Sequence, residues 1–190
     1  MKRVLWIFPA LLLFSISARA QAQETASAVP AWEFSGGYAY LDANLNGSSF
    51  HMNGVNSTAT ENVNGWFAGR IEFNGYQGNE AITVSGTNTL YSVNAETITY
   101  GPVFSYRKFS SRITPFGGVQ VGAVHGSKEF LGISESAWKF ALAPEVGVDF
   151  NLNHRTAIRL SGEYLVTRFL SLTQEHANIS AGIVLRFGQK

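Results

Sequence analysis

Through much of this 190-residue chain apolar and polar side chains alternate one by one, and the charges within the alternating segments, Glu96 apart, keep to one parity. At the C-terminal end, Ile179, Ala181, Ile183, Leu185 and Phe187 fall on one face, while Asn178, Ser180, Gly182 and Arg186 fall on the other. A period of two is the signature of a strand with unlike faces. Carried through the chain, it puts Glu33, Arg70, Glu72, Arg107, Lys139, Glu145, Asp149, Arg159, Glu163 and Arg186 on the polar face. Glu96 has the apolar parity and is expected at a rim. A soluble sheet would turn the polar face to water and bury the apolar face against a second layer. No helical periodicity and no spare sheet follow the N-terminal segment, so nothing in the chain can provide that layer. Lipid is the cover that remains, and only a sheet closed on itself pairs all its backbone groups there. The polar face is then the inside of a barrel.

The N-terminus reads as an export signal: Lys2 and Arg3, an apolar run from Val4 to Ile16, and the small-x-small site Ala18-Arg19-Ala20, with Ala22 as a second cleavage position. The apolar run falls short of the roughly 20 residues that a spanning helix needs. The expected organisation is a signal peptide at 1–20, a short segment at 21–31 and one barrel domain at 32–188. Removing Lys2, Arg3 and Arg19 from the 14 basic residues leaves 11 against 13 acidic ones, a formal charge of −2. No basic stripe survives, which argues against nucleic acid as a partner. With no cysteine there is neither a disulfide framework nor thiolate chemistry.

A membrane strand takes about 9 to 11 residues, so the remaining length suits eight strands with their connections and leaves nothing for a second domain. The pattern predicts strands at about 32–41, 50–60, 66–76, 95–107, 113–124, 137–150, 156–167 and 177–187. The second is the faintest, with only Val55 and Ala59 on its lipid face. The connections Glu61–Gly65, Lys108–Arg112 and Asn151–Arg155 are short; Asp42–Ser49, Gln77–Asn94, His125–Ser136 and Arg168–His176 are long. Short turns alternate with long loops in this way in outer-membrane barrels, which predicts both termini on the periplasmic side. Aromatic girdles are expected from Trp32, Trp66, Tyr106, Phe150 and Phe187 at one end and Tyr40, Tyr76, Trp138 and Tyr164 at the other.

Longer strings sharpen this picture: Gly36-Gly37-Tyr38-Ala39-Tyr40-Leu41, Met52-Asn53-Gly54-Val55-Asn56-Ser57, Gly101-Pro102-Val103-Phe104-Ser105-Tyr106-Arg107, Thr114-Pro115-Phe116, Tyr164-Leu165-Val166-Thr167-Arg168-Phe169 and Ser180-Ala181-Gly182-Ile183-Val184-Leu185-Arg186-Phe187-Gly188. Together they resemble the outer-membrane beta-barrel domain family of small OmpA-like barrels. The resemblance implies an all-β, eight-stranded antiparallel up-and-down barrel in the bacterial outer membrane. It also implies that Ile183, Leu185 and Phe187 act as the C-terminal signal read by the barrel-assembly machinery. In that signal the aromatic is usually last, whereas here Gly188-Gln189-Lys190 follow. OmpA itself carries a periplasmic peptidoglycan-binding domain that this chain lacks.

Five inward acids face five inward bases, and an eight-stranded barrel is just wide enough inside for its side chains to fill. The charges are therefore expected to pair as a plug, with Arg159 diagonal to Glu145 and Asp149, and Glu33 level with Arg186 across the closing seam. That favours a structural or surface-interaction protein, probed from outside through polar loops such as Gln77–Asn94, with membrane lipid and lipopolysaccharide around it and a single chain per barrel. A narrow porin-like channel is the alternative reading. Some eight-stranded barrels remove acyl chains from lipopolysaccharide with a His-x-Ser pair and a carboxylate; His125-Gly126-Ser127 has that spacing, with Glu129, Glu135 or Glu145 as orienter. The pair is expected in a polar loop beside Lys128, where spacing alone does not make a triad. His51, His125 and His176 project toward the loop end from separate segments, without the carboxylate pattern of a metal site. No cofactor is expected.

Overall fold

The computed structural model describes residues 29–45, 48–84, 87–130, 133–169 and 172–190; side chains are described for 29–42, 51–78, 92–127, 138–167 and 176–190. The predicted signal peptide lies outside these residues. Eight strands follow one another: β1 Trp32–Leu45, β2 Ser48–Asn62, β3 Phe67–Val84, β4 Thr87–Ser105, β5 Ile113–Phe130, β6 Ile133–Asn151, β7 Thr156–Phe169 and β8 Leu172–Phe187. Each pairs antiparallel with its sequence neighbours, and β1 pairs with β8 to close the barrel. At the seam Trp32 faces Phe187 and Glu33 faces Arg186.

The connections at the end carrying the termini, here the turn end, are set by short polar side chains. Asn64 Oδ1 accepts from the backbone N–H groups of Trp66 and Phe67 at 3.0 and 2.9 Å. Asn153 Oδ1 does the same for Arg155 and Thr156 at 2.7 and 2.9 Å. Such side-chain-to-backbone bonds are how asparagine fixes a tight turn. Two prolines interrupt the ladders: β4 and β5 lose their pairing around Pro102, and β6 and β7 around Pro144. Proline has no N–H to donate, so the pairing resumes only beyond it.

At the opposite, hairpin end the strands outrun the predictions. The segment Gln77–Asn94, expected as a loop from its Ser, Thr, Asn and Gly content, continues as paired strand from Gly78↔Val93 to Val84↔Thr87. The β5–β6 pair likewise extends to Phe130↔Ile133. Outside lipid a hairpin needs ladder hydrogen bonds but no apolar face, so the alternation that located the other strands was missing here. Pairing of β2 with β3 stops at Asn53↔Gln77, and that of β6 with β7 at Phe140↔Arg168. Hence the β3–β4 and β5–β6 hairpins run on past their last pairs with β2 and β7, joined to each other as far as Ser92↔Glu129.

The wall is apolar outside: Phe34, Ile71, Phe73, Ile98, Tyr100, Val121, Phe140, Val146, Leu160 and Ile183 are all exposed. Trp32, Trp66, Tyr106, Phe150 and Phe187 are exposed near the turn end, and Trp138 and Tyr164 toward the hairpin end. Tyr76 corrects the predicted girdle. It is only 1% exposed and faces inward, because it shares the parity of Arg70, Glu72 and Asn74 on β3.

Ile183 lies midway along β8 between Phe187 and Ala177, the partner of Tyr164, and points outward. Ile183→Arg therefore places a charge near the bilayer centre and is expected to cost about 2 to 4 kcal/mol. Denaturant unfolding in lipid vesicles measures it; an unchanged midpoint would mean that this face does not meet lipid.

Candidate functional site: the packed lumen

Because every second residue points inward, the lumen is a stack of side-chain layers. The layer nearest the turn end is built on Glu33 of β1 and Asp149 of β6. Glu33 Oε1 accepts from Arg107 Nη2 at 2.7 Å and Oε2 from Arg159 Nη2 at 3.0 Å, while Arg186 Nε lies 3.5 Å away. Asp149 is gripped by the fork of Arg159, Nε to Oδ1 at 2.7 Å and Nη2 to Oδ2 at 2.9 Å. Arg186 Nη2 adds a third bond to Asp149 at 3.1 Å. Paired N–H donors matched to two carboxylate oxygens are the geometry that arginine provides and lysine does not.

Arg159 is not diagonal to Asp149 as expected; the register sets the two directly opposite each other, and it sets Glu145 opposite Glu163. No hydrogen bond joins Arg159 to Glu145 among the described residues. Arg107 lies just beyond β4, which ends at Ser105, and reaches back into the lumen to Glu33 and to Asn62 Oδ1 at 3.0 Å.

Above this layer sits Phe116 of β5, an inward aromatic that was not singled out as a site residue. The guanidinium carbon of Arg159 lies 4.8 Å from its ring centroid and that of Arg70 lies 4.6 Å away. One ring thus bridges two cations through its faces. Its partner on β6 is Gly147, where an added Cβ would come within 2.4 Å of the ring. The glycine leaves the space that the ring fills. Parity with Thr114 and Gln120 marks Phe116 as inward, and that was the legible signal.

The middle layer belongs to Arg70, Glu72, Glu145 and Glu163. Arg70 Nη1 donates to both oxygens of Glu145 at 2.9 and 2.8 Å, and its Nε to Thr60 Oγ1 at 3.0 Å. Glu72 is held by amides: Asn56 at 2.8 Å, Asn74 at 3.1 Å and Gln120 at 3.2 Å. Gln120 also donates to Glu145 at 3.0 Å. Glu163 takes a hydrogen bond from Asn178, its partner on β8. Lys139 lies further toward the hairpin end, within electrostatic range of His176. There the lumen turns apolar, with one cluster of Ala39, Leu41, Met52, Tyr76 and Val93 and another of Val124, Ala141, Ala143 and Leu165.

The other candidate residues are not assembled. His125 and Ser127 lie within β5 rather than in a loop, and their parity is outward, like that of Val119 and Val121. The His125 ring packs 4.8 Å from that of Trp138, and no described hydrogen bond links it to Ser127. Glu145 is inside the lumen on the other side of the wall, and the side chains of Glu129 and Glu135 lie outside the described residues. His51 contacts Asp42 at 3.5 Å, whereas His176 is buried facing inward. Among the described residues no three His, Asp or Glu side chains gather as metal ligands. Ile183, Leu185 and Phe187 all face outward on the seam strand.

The family profile described as "Outer membrane protein beta-barrel domain" matches residues 8–187. A comparison with curated proteins finds no match. Among solved structures, Neisserial surface protein A is 13% identical with a TM-score of 0.70, over 83% of this chain and 97% of that one. Ail of Yersinia pestis, solved in complex with the heparin analogue sucrose octasulfate, is 21% identical with a TM-score of 0.60, over 82% and 97%. The outer membrane protein OprG of Pseudomonas aeruginosa is 12% identical with a TM-score of 0.60, over 84% and 97%. At these identities the likeness is one of fold.

The turn-end layer sets three guanidiniums against two carboxylates, which ranks its members. Removing Glu33 leaves three cations to one carboxylate in the layer, whereas removing Arg107 leaves two against two, and Arg107 is the more exposed partner. Glu33→Gln should cost about 3 to 5 kcal/mol, the usual penalty for stranding buried charge. Arg107→Gln should cost clearly less. Unfolding both variants in vesicles checks the order; the reverse order would mean that the layer is not held by charge balance.

Proposed function

Because the chain belongs to the outer membrane protein beta-barrel domain family, we propose that it is a structural and surface-interaction barrel of the bacterial outer membrane, with a closed lumen and its hairpins outside. Both termini are then periplasmic, and the seam residues Ile183, Leu185 and Phe187 are the part that the assembly machinery reads. The barrel works as a single chain surrounded by lipid and lipopolysaccharide. The observation that carries this reading is the contrast between the two ends. Inside, arginine–carboxylate layers and apolar clusters fill the passage; outside, the β3–β4 and β5–β6 hairpins extend past the last pairs with β2 and β7, and the edges of 78–84 and 133–139 turned toward β2 and β7 pair with no described strand. Such edges suit contact with another macromolecule more than passage of a solute.

The sulfated ligand of Ail does not carry over readily. Toward the hairpin end this chain has Asp42, Glu80, Glu96, Glu129, Glu135 and Glu175 against Lys128, Lys139 and Arg168, a balance that repels polyanions. The enzymatic reading has less support: no described hydrogen bond links His125 to Ser127, and Glu145 is enclosed in the lumen on the other side of the wall.

Cells lacking the protein can be complemented with the intact chain or with one in which residues 79–92 are replaced by a two-residue turn. The trimmed chain should restore resistance of the envelope to detergent but not attachment to surfaces. If it restores both equally, the extended hairpin has no interaction role and only the structural half of the proposal stands.

A further inference from the structure

The five acids and five bases of the lumen balance in sum but not in place. Toward the turn end Glu33 and Asp149 meet Arg107, Arg159 and Arg186. In the middle, among the described residues, Glu72, Glu145 and Glu163 share one arginine of their own layer, Arg70, whose Nη1 is committed to Glu145, while Arg159 of the layer below acts on Glu145 only through space. Glu72 is satisfied by neutral amides, which offer hydrogen bonds but no charge. Glu163 lies within electrostatic range of both other acids, with Glu145 directly opposite it in the ladder. With all three acids ionised, two negative charges would be left over in a space closed to solvent, and uncompensated buried charge of this kind is among the most costly features that a fold can carry.

Three unpartnered oxygens mark the same place. Glu163 Oε2, Asn178 Oδ1 and Tyr76 Oη are buried without hydrogen-bond partners. Their residues are 6%, 3% and 1% exposed. Asn178 is the ladder partner of Glu163, and Tyr76 stands four residues beyond Glu72 on the same face of β3, within electrostatic range of both carboxylates. The set consists of two carboxylates, an amide carbonyl and a phenol oxygen: hard oxygen donors with negative charge and no built-in cation. That is the ligand chemistry of alkali and alkaline-earth ions.

We propose that the middle of the lumen, at Glu72, Tyr76, Glu163 and Asn178, binds one small hard inorganic cation. The ion supplies the charge that a second arginine would otherwise bring and satisfies the orphan oxygens, completing the plug between the arginine layer and the apolar clusters. It is a resident part of the packing, and its binding is coupled to folding, since the four residues come from three strands that meet only in the closed barrel.

The test is denaturant unfolding of the full chain in phosphatidylcholine vesicles in NaCl, KCl, CaCl2 or choline chloride at one ionic strength. For the wild type, one of the inorganic cations should raise the midpoint over choline in a manner that grows with the logarithm of its concentration. The arms distinguish a monovalent from a divalent occupant. Glu163→Gln, which keeps the shape and removes the charge, and Tyr76→Phe, which removes one oxygen, should each lose most of that shift. Glu163→Gln should be at least as stable as the wild type in choline, because one of the surplus charges is gone. A wild-type midpoint that is the same in all four salts would overturn the proposal and leave the carboxylates neutralised by protons. A cation shift retained undiminished in Glu163→Gln would overturn it as well, by placing the ion elsewhere.

Discussion

Closing eight strands on themselves puts every inward side chain into one narrow column, and that confinement governs the rest of the structure. Lipid outside removes any alternative to closure, because an open edge would leave backbone groups unpaired in hydrocarbon. Closure in turn removes the water that would otherwise solvate the inward charges. Each buried ion loses several kcal/mol of hydration, and its attraction to a partner offsets this only with good geometry and further hydrogen bonds. The lumen meets both conditions where arginines do the pairing. Asp149 receives three guanidinium hydrogen bonds, and Glu33 has arginines reaching it from β7, from β8 and from the turn after β4. Pairs of this kind are not the strongest way to stabilise a fold, since apolar packing of equal volume often does as well. What they do is make an unfilled or wet lumen unfavourable once the strands have closed.

Phe116 shows how charge and packing are joined. An aromatic ring between two guanidiniums keeps Arg70 and Arg159 apart while interacting favourably with each. Gly147 opposite provides the room. The ring therefore separates the turn-end layer, rich in positive charge, from the middle layer, rich in negative charge. The unequal division of charge between layers, invisible in the sum of five and five, follows from where on each strand the acids and bases fall.

Much of this was legible in the residues. Parity alone put Glu33, Arg70, Glu72, Glu145, Asp149, Arg159, Glu163 and Arg186 on the inner face, and the seam pairing of Glu33 with Arg186 follows from counting along β1 and β8. Counting across a turn was less reliable: the Asn151–Arg155 turn holds the β6–β7 register so that Asp149, not Glu145, faces Arg159. Aromatic residues misled where type was weighted above parity. Tyr76 looked like a girdle residue because it is a tyrosine near a strand end, yet its neighbours on the same face are Asn74 and Glu72. The extended hairpins were hidden for a different reason, since strands in water carry no lipid-facing pattern. The partners of each charge across the lumen, such as Arg70 with Glu145, depend on the barrel's stagger, which the order of residues in separate strands does not reveal.

The central claim is that the lumen is packed shut by its own side chains. Single-channel recording of the purified, folded chain in planar bilayers tests this most directly. A packed lumen predicts no steady current above that of the bare bilayer over a wide range of voltage and salt. A stable, long-lived open level with reproducible ion selectivity would contradict it, because such a current requires a continuous path of water past Glu33, Phe116 and Glu145.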